Sequence, residues 1–300
     1  MTRVAAVLIF TVGAAGCSTP PTDEQHRSSR PEGRVRKLTA AEEALIDRAE
    51  RLLVKECMER AGFRYWITGA TSATERKAQG YVLDDIGWAK TYGYGGRLMR
   101  KAEAVRRNGP NASYANALRQ EERIRYRTAL DGEPSSGTLS VALPGGGMIQ
   151  TPRESCHTRA KEQLYGDFES WFRAEKVATN LTPLYVSDIL KDKRFVRALE
   201  TWSGCMSEKG HDYRTPAEIR VNLPMLTRGL SDTAAHAAEV RLAVDEVTCA
   251  KMTSLPDTAR AIEDEYRAKR TRQYREEIAT YQRMRLAATA RAKDVVGETP

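Results

Sequence analysis

The chain has 300 residues, with 48 lysines and arginines against 40 aspartates and glutamates, which gives a formal net charge of +8 at pH 7. This length suffices for one large domain or two small domains. No nucleic-acid recognition motif is present, so we do not expect a nucleic-acid-binding protein. The charge is consistent with an ordinary arginine-rich surface, and also with attraction to anionic lipid or an anionic cell-wall polymer.

The first 16 residues are typical of a secretory signal peptide, with Arg3 followed by an apolar run over Val4–Val12 and small residues. The apolar run is shorter than the roughly 20 residues of a transmembrane helix. The sequence Ala14-Ala15-Gly16-Cys17 resembles the bacterial lipobox, although the lipobox usually has leucine in place of Ala14. The resemblance implies lipidation of Cys17 and anchoring by lipid to the outer face of the cytoplasmic membrane. A plain signal peptide and a secreted protein are the alternative.

Residues 17–37 are rich in serine, proline, threonine and charged residues and contain almost nothing apolar. Such a segment cannot bury enough surface to order itself. We therefore expect a disordered tether that holds the folded part away from the lipid headgroups.

The phrase Cys-Met-x-x-x-Gly-x-x-Tyr occurs twice, at 57–65 and at 205–213. The first copy ends a predicted helix over 39–62, which begins with a capping box of Thr39 and Glu42. The second ends a predicted helix that Asp192 can cap. In both copies the glycine suits the left-handed conformation that terminates a helix, and the cysteine falls on the apolar face.

The stretch at 81–96 predicts a short helix followed by the glycine-rich turn TYGYGG. Trp88, Tyr92 and Tyr94 are a candidate binding surface there, because tyrosines in a loop give a large contact area at low ordering cost. The alternative is a well-packed turn over the first helices.

A helix capped by Ser113 is predicted to run through Leu130 to Gly132. Alternating apolar residues then predict a β-hairpin at about 138–151, marginal by itself and therefore packed on helices. Helical patterns resume at 153–177. In the second half, Thr215 starts one helix, and a long C-terminal helix is predicted from about Asp257 to Val296.

These patterns predict a mostly α-helical fold, an irregular helical bundle with one small hairpin and a long C-terminal helix. The predicted organisation is a signal peptide (1–16), a lipidated tether (17–37), a first helical module with the hairpin (38–180) and a second helical module (181–300).

Four cysteines remain besides Cys17, and an even number in an exported chain implies two disulfides. If each repeated phrase begins a module that the next cysteine closes, Cys57 pairs with Cys156 and Cys205 with Cys249. Metal binding is the competing interpretation, but the chain has no Cys-x-x-Cys and the four cysteines are scattered.

Motifs that carry catalysis are missing from the sequence. The four histidines have no metal-ligand spacing, and neither a nucleophile elbow nor a phosphate-binding loop occurs. Cys156 and His157 are adjacent, but neighbouring residues of a helix point about 100° apart. We therefore expect no enzyme, no cofactor and no metal.

The lipobox, the composition and the repeated phrase together resemble secreted or lipid-anchored proteins of actinobacteria. The resemblance implies export and disulfide bonds and implies no activity. The leading hypothesis is a lipid-anchored envelope protein that acts by binding or scaffolding, with an envelope protein or anionic cell-wall polymer as partner. The alternatives are an accessory lipoprotein that binds a ligand for a transporter or cell-wall system, and an enzyme whose residues converge only in three dimensions.

Overall fold

A computed structural model describes residues 36–68 and 80–297, and these form one compact unit. The fold is mostly α-helical with one antiparallel hairpin and a long C-terminal helix, as predicted. The signal peptide, Cys17 and most of the tether lie outside the described residues. The helices are α1 (Ala40–Arg60), α2 (Ile86–Tyr92), α3 (Gly96–Asn108), α4 (Pro110–Ala117), α5 (Gln120–Asp131), α6 (Cys156–Tyr165), α7 (Phe168–Thr179), α8 (Val186–Lys191), α9 (Lys193–Glu208), α10 (Pro216–Leu226), α11 (Asp232–Met252), α12 (Leu255–Arg270) and α13 (Arg275–Val296), and the strands are β1 (Thr138–Ala142) and β2 (Met148–Pro152).

The start of α1 has the predicted capping box. The Thr39 hydroxyl accepts a hydrogen bond from the Glu42 N–H at 3.2 Å, and the Glu42 carboxylate accepts one from the Thr39 N–H at 2.8 Å. Two N–H groups without helical partners are thereby satisfied. The buried face of α1, which includes Ile46 and Leu53, faces the core.

The end of α1 is a left-handed glycine cap formed by the first copy of the repeated phrase. Gly62 has a φ of +86°, a conformation that costs glycine little. Its N–H donates to the Glu59 carbonyl and the Phe63 N–H donates to the Met58 carbonyl, both at 3.0 Å. This pair of bonds is the Schellman motif.

The end of α9 repeats the same geometry with the second copy. Gly210 has a φ of +82°, and its N–H donates to the Ser207 carbonyl at 2.9 Å. The His211 N–H donates to the Met206 carbonyl, also at 2.9 Å. Met58 and Met206 are both fully buried, so the phrase places the same side chain in the core twice.

Both disulfides have the pairing expected from the repeated phrase. Cys57 bonds to Cys156, with the Cα atoms 5.5 Å apart, and ties the end of α1 to the start of α6. Cys205 bonds to Cys249, with the Cα atoms 5.6 Å apart, and ties α9 to α11.

The hairpin pairs β1 and β2 in antiparallel register, with Val141 opposite Ile149. Leu139 and Val141 are buried, and β1 packs on α7. The hairpin therefore gains from α7 the apolar contacts that two strands alone lack.

Two predicted helices are each divided into two. The helix expected over 113–130 is α4 and α5, because Leu118 between them has an extended backbone and packs against the core. The first of these starts at Pro110, so Ser113 lies inside a helix and caps nothing.

The helix expected from Asp257 to Val296 is interrupted by a short 3-10 turn at Arg272–Tyr274. Thr271 precedes the turn, is nearly buried, and donates its hydroxyl hydrogen bond to the Arg267 carbonyl at 2.8 Å. Such bonds from threonine to the preceding turn bend helices. After the break, α13 packs against α1, α6 and α7.

Helix contacts cross the boundary predicted at residue 180. From the second half, α13 packs against α1, α6 and α7, while α2 from the first half packs against α11. No described helix combines the length and the hydropathy that a bilayer span needs.

Candidate functional site

A cavity of about 550 Å³ opens where the chain enters the fold. Residues 36–38 and α1 form one side, and the junction of α12 and α13 forms the other, with the end of α7 and the turn at Thr182–Leu184 between them. We call it the entry cleft. Its volume lies in the range of pockets that hold small molecules.

Cations predominate in the lining of the entry cleft. Arg36, Lys37, Arg267 and Arg285 face Glu43, the one carboxylate among the described lining residues. Leu38, Leu181 and Ile278 add apolar surface. Each of the three arginines is paired with a carboxylate within 3.4 Å (Glu42, Glu263 and Glu43), so Lys37 supplies the excess positive charge that would attract an anion.

Glu42, the capping residue of α1, holds Arg36 at the edge of the cleft. The two Nη atoms of Arg36 donate to the Glu42 carboxylate at 2.8 and 2.6 Å. These hydrogen bonds, together with those from Thr39, lower the pKa of the Glu42 carboxyl to about 2. Lys37 beside them contacts no carboxylate among the described residues, so its charge is available to a ligand.

Tyr185 and Arg267 form the wall on the side of α12. The Tyr185 ring is fully buried, and its hydroxyl donates to Glu263 Oε1 at 3.1 Å. The Arg267 guanidinium lies 5.9 Å from the ring centroid, and its Nη2 donates to the Tyr185 hydroxyl at 3.4 Å. Both side chains are thus fixed before any ligand binds.

A column of stacked side chains supports the wall on the side of α13. The Arg285 guanidinium lies 5.4 Å from the Tyr281 ring centroid and pairs with Glu43 at 3.0 Å. Tyr281 contacts Trp171 with ring centroids 5.3 Å apart, and Trp171 stacks on Tyr165 at 3.4 Å. Burial of Tyr281 raises the pKa of its hydroxyl, which therefore stays protonated at neutral pH.

Two threonine hydroxyls of the cleft are already bonded. Thr179 donates to the Glu175 carbonyl at 2.6 Å, and Thr271 donates to the Arg267 carbonyl. Cys156 is in a disulfide, so it forms no thiolate with His157. The described residues contain no group of three or more side chains that could hold a metal ion. These groups can bind and orient a ligand, and none of them is an activated nucleophile.

The candidate binding surface at 88–94 lies in the core. Trp88 is 4% exposed and Tyr94 is 9% exposed, so neither ring can contact a ligand in this conformation. Tyr92 is half-buried and packs on Trp88, with ring centroids 4.6 Å apart. The alternative interpretation, a well-packed turn, describes all three residues.

Two buried carboxylates on α11 hold this turn in place. Glu246 is fully buried and accepts hydrogen bonds from the Tyr94 hydroxyl at 2.6 Å and the Leu83 N–H at 3.0 Å. Glu239 accepts one from the Gly96 N–H at 3.1 Å. The carboxylates accept hydrogen bonds from groups that the fold removes from solvent, in place of the water that would otherwise accept them.

The sequence patterns do not indicate this network or the entry cleft. A usable signal existed for the network, because Glu239 and Glu246 lie seven residues apart on the apolar face of α11, where Leu242 and Ala243 are buried. Charged residues on an apolar face are almost always paired. The entry cleft has no such signal, because its residues come from four separate stretches of the chain, 36–43, 178–185, 267–271 and 278–285.

Comparison with protein-family models, with curated proteins and with solved structures finds no match to this chain.

Proposed function

We propose that this protein is a lipid-anchored protein of the cell envelope that acts by binding rather than by catalysis. Two disulfides support an oxidising compartment, since such bonds persist mainly in exported proteins. The signal-like first 16 residues and the lipobox-like sequence at Cys17 point to the same compartment.

The observation that carries the binding function is the composition of the entry cleft. Fixed arginines and a lysine without a carboxylate partner lie beside apolar side chains in one concave surface. This combination fits a small ligand with an anionic head and an apolar part. Charge-assisted hydrogen bonds would orient the head, and Leu38, Leu181 and Ile278 would cover the apolar part.

Intact-mass measurement of the protein purified from its native membrane tests the location. We expect the loss of residues 1–16, an added mass of acyl groups at Cys17, and four thiols that react only after reduction. An unacylated chain with four freely reactive thiols would contradict the proposal.

Thermal unfolding with small anions tests the binding function. We expect hexyl phosphate to raise the unfolding temperature more than inorganic phosphate, and hexanol to have little effect, because the site needs both the charge and the apolar chain. Stabilisation should rise with ligand concentration as expected for one site.

A matched pair of variants locates the binding. Lys37→Gln should weaken hexyl phosphate binding about tenfold, because a hydrogen bond to a charged group contributes about 1.5–3 kcal/mol. Lys193→Gln, which removes the same charge at the start of α9, should leave it unchanged. If no anion stabilises the protein and a protein partner copurifies with it instead, a scaffolding role is the better description.

A further inference from the structure

One short stretch of the chain carries a concentration of exposed apolar side chains. Of the 13 large apolar side chains that are exposed among the described residues, four lie between positions 221 and 230, namely Val221, Met225, Leu226 and Leu230. Val221 is 77% exposed, the highest value of the 13, and Met225 is 67% exposed. A concentration of this kind on a folded protein marks a surface that binds another molecule.

Helix geometry places the two most exposed of these side chains on one side of α10. Successive residues of an α-helix point about 100° apart, so Val221 and Met225, four residues apart, point in nearly the same direction. Ala217, four residues before Val221, is exposed on the same side. Ile219 and Leu223 each lie two residues from Val221, so they point the opposite way, and they pack in the core. We call Ala217, Val221 and Met225 the α10 face.

Opposite charges lie at the two ends of the α10 face. Glu218 is in the first turn of α10, where its Oε2 accepts a hydrogen bond from the Arg214 N–H at 2.8 Å and its Oε1 has no partner among the described residues. Arg228 lies in the turn that follows α10, and its N–H donates to the Met225 carbonyl at 3.3 Å. The exposed Arg228 guanidinium contacts no carboxylate among the described residues. Each end of the face therefore carries a charge that can accept a partner.

We propose that the α10 face binds the α10 face of a second copy of this chain, with the two helices antiparallel about a two-fold axis. When Val221 of one copy lies opposite Met225 of the second copy, Glu218 lies opposite Arg228, because each charged residue is three positions outward from the apolar pair. The two-fold axis repeats both pairings. Two apolar contacts are thus flanked by two ion pairs.

The charge pattern favours a second copy over the other surfaces that an apolar helix face could contact. An anionic bilayer or an anionic polymer would attract Arg228 but repel Glu218. An antiparallel copy places each of these charges next to its opposite and covers the apolar side chains between them. One pair of helix faces is a small interface, so we expect a weak dimer, which confinement at a membrane by the proposed anchor would favour.

Sedimentation equilibrium of the chain from residue 18 onward tests the dimer. This chain keeps the whole compact unit and both disulfides but lacks Cys17, and circular dichroism checks that each variant is folded. We expect a monomer–dimer equilibrium with a dissociation constant on the order of 100 μM, as for small transient interfaces. A chain that stays monomeric at ten times that concentration would overturn the proposal.

Replacement of the apolar side chains tests whether α10 forms the interface. Val221→Gln with Met225→Gln should weaken the dimer about 100-fold, because the two-fold axis removes four apolar side chains from the contact. The control, Ile124→Gln with Met148→Gln, replaces side chains that are 53% and 65% exposed on α5 and β2 and should change nothing. A dimer that is unaffected by the α10 variant would place the contact elsewhere and overturn the proposal.

Charge reversal tests the antiparallel arrangement. Glu218→Lys alone and Arg228→Glu alone each bring like charges together twice, so each homodimer should weaken about tenfold. A mixture of the two single variants should form a heterodimer about as tight as the parent dimer. In that heterodimer the two introduced charges face each other, and the native Arg228 and Glu218 form the second pair. A variant that is merely destabilised cannot produce this recovery.

Each other outcome overturns the proposal. A mixture that does not recover would exclude the antiparallel contact between positions 218 and 228. A monomeric chain that floats with anionic lipid vesicles, and loses flotation on Val221→Gln with Met225→Gln, would identify a bilayer as the partner of the α10 face. The dimer is measured without the acyl anchor, so its failure and a failure of the mass measurement are distinguishable.

Discussion

The two helix ends that carry the repeated phrase share one backbone geometry but lie in different surroundings. In each, the glycine is left-handed, the methionine is buried and the cysteine forms a disulfide. The residue that follows the glycine differs between the two helix ends, and this residue determines which side chains pack around each end.

At the end of α1 this residue is Phe63, which is buried. It meets Tyr126 edge to face at 5.4 Å between ring centroids, with the Arg125 guanidinium 5.9 Å from its ring. Burial of Tyr126 raises the pKa of its hydroxyl to about 12. The first helix end is therefore part of an apolar, aromatic cluster.

At the end of α9 the corresponding residue is His211, which stays partly exposed. Its Nε2 lies 3.0 Å from Asp245 Oδ2, and Lys209 Nζ lies 3.3 Å from the other carboxylate oxygen. The second helix end is therefore polar at its surface. The cap depends only on the residues of the phrase. How much the residue after the glycine contributes to stability depends instead on the side chains that the fold places around it.

The largest effect expected is the loss of a disulfide, and it should differ between the two ends. The bonded cysteines are 99 residues apart in the first case and 44 in the second. Replacing Cys57 and Cys156 by alanine should cost about 4.7 kcal/mol of the free energy of unfolding, and replacing Cys205 and Cys249 about 4.0 kcal/mol, in the loop-closure relation. Urea denaturation measures both. The reverse order would show that native contacts rather than loop length decide the difference.

The next effect is the removal of the side chain after the glycine. Phe63→Ala should lower the free energy of unfolding by about 4 kcal/mol, because it leaves a cavity beside Tyr126. His211→Ala should cost less than about 1 kcal/mol, because its contact with Asp245 is partly exposed to solvent. Phe63→Leu, which keeps most of the volume, serves as the control. Similar losses for Phe63→Ala and His211→Ala would remove the contrast between the two ends.

Glu246, three residues before Cys249, makes the stability of the second helix end depend on pH. Burial raises the pKa of its carboxyl above the usual value of 4.5. The folded state therefore takes up this proton before the unfolded state as the pH falls, and the stability that the group contributes decreases as the pH rises above 4.5.

Glu246→Gln tests this dependence. The variant should lose about 1–3 kcal/mol near neutral pH, because Leu83, Tyr94 and Arg220 lose part of their partner. Its deficit relative to the parent should grow as the pH is lowered towards 4.5, since only the parent gains from protonation. Urea denaturation at two pH values measures it, and a deficit that shrinks on acidification would contradict the sign.

The smallest effect should be equal at the two ends. Gly62→Ala and Gly210→Ala should each cost about 1 kcal/mol, because the left-handed backbone disfavours a Cβ atom. No heavy atom lies within 4 Å of either Cβ position, so sterics add nothing. Gly204→Ala, at an exposed position inside α9 with the same open space, should instead stabilise the protein by about 0.8 kcal/mol. Unequal losses at Gly62 and Gly210 would show that the two caps are not equivalent.

The sequence by itself determined the local features of this protein. Local sequence sets where three helices begin, at Thr39, Asp192 and Thr215. It also sets the hairpin and both glycine caps, because the residues that form each feature lie within one or two turns of each other. The disulfide pairing was also accessible, because the repeated phrase marks two equivalent cysteines.

Only the tertiary structure decided which residues that are far apart in the chain lie next to each other. It buried Trp88 and Tyr94 against α11, broke the predicted C-terminal helix at Thr271, and brought Lys37 near Arg267 and Arg285 in the entry cleft. Local sequence patterns reflect the conformational preferences of short segments. A buried carboxylate or a cleft, in contrast, forms only when distant segments exclude water together.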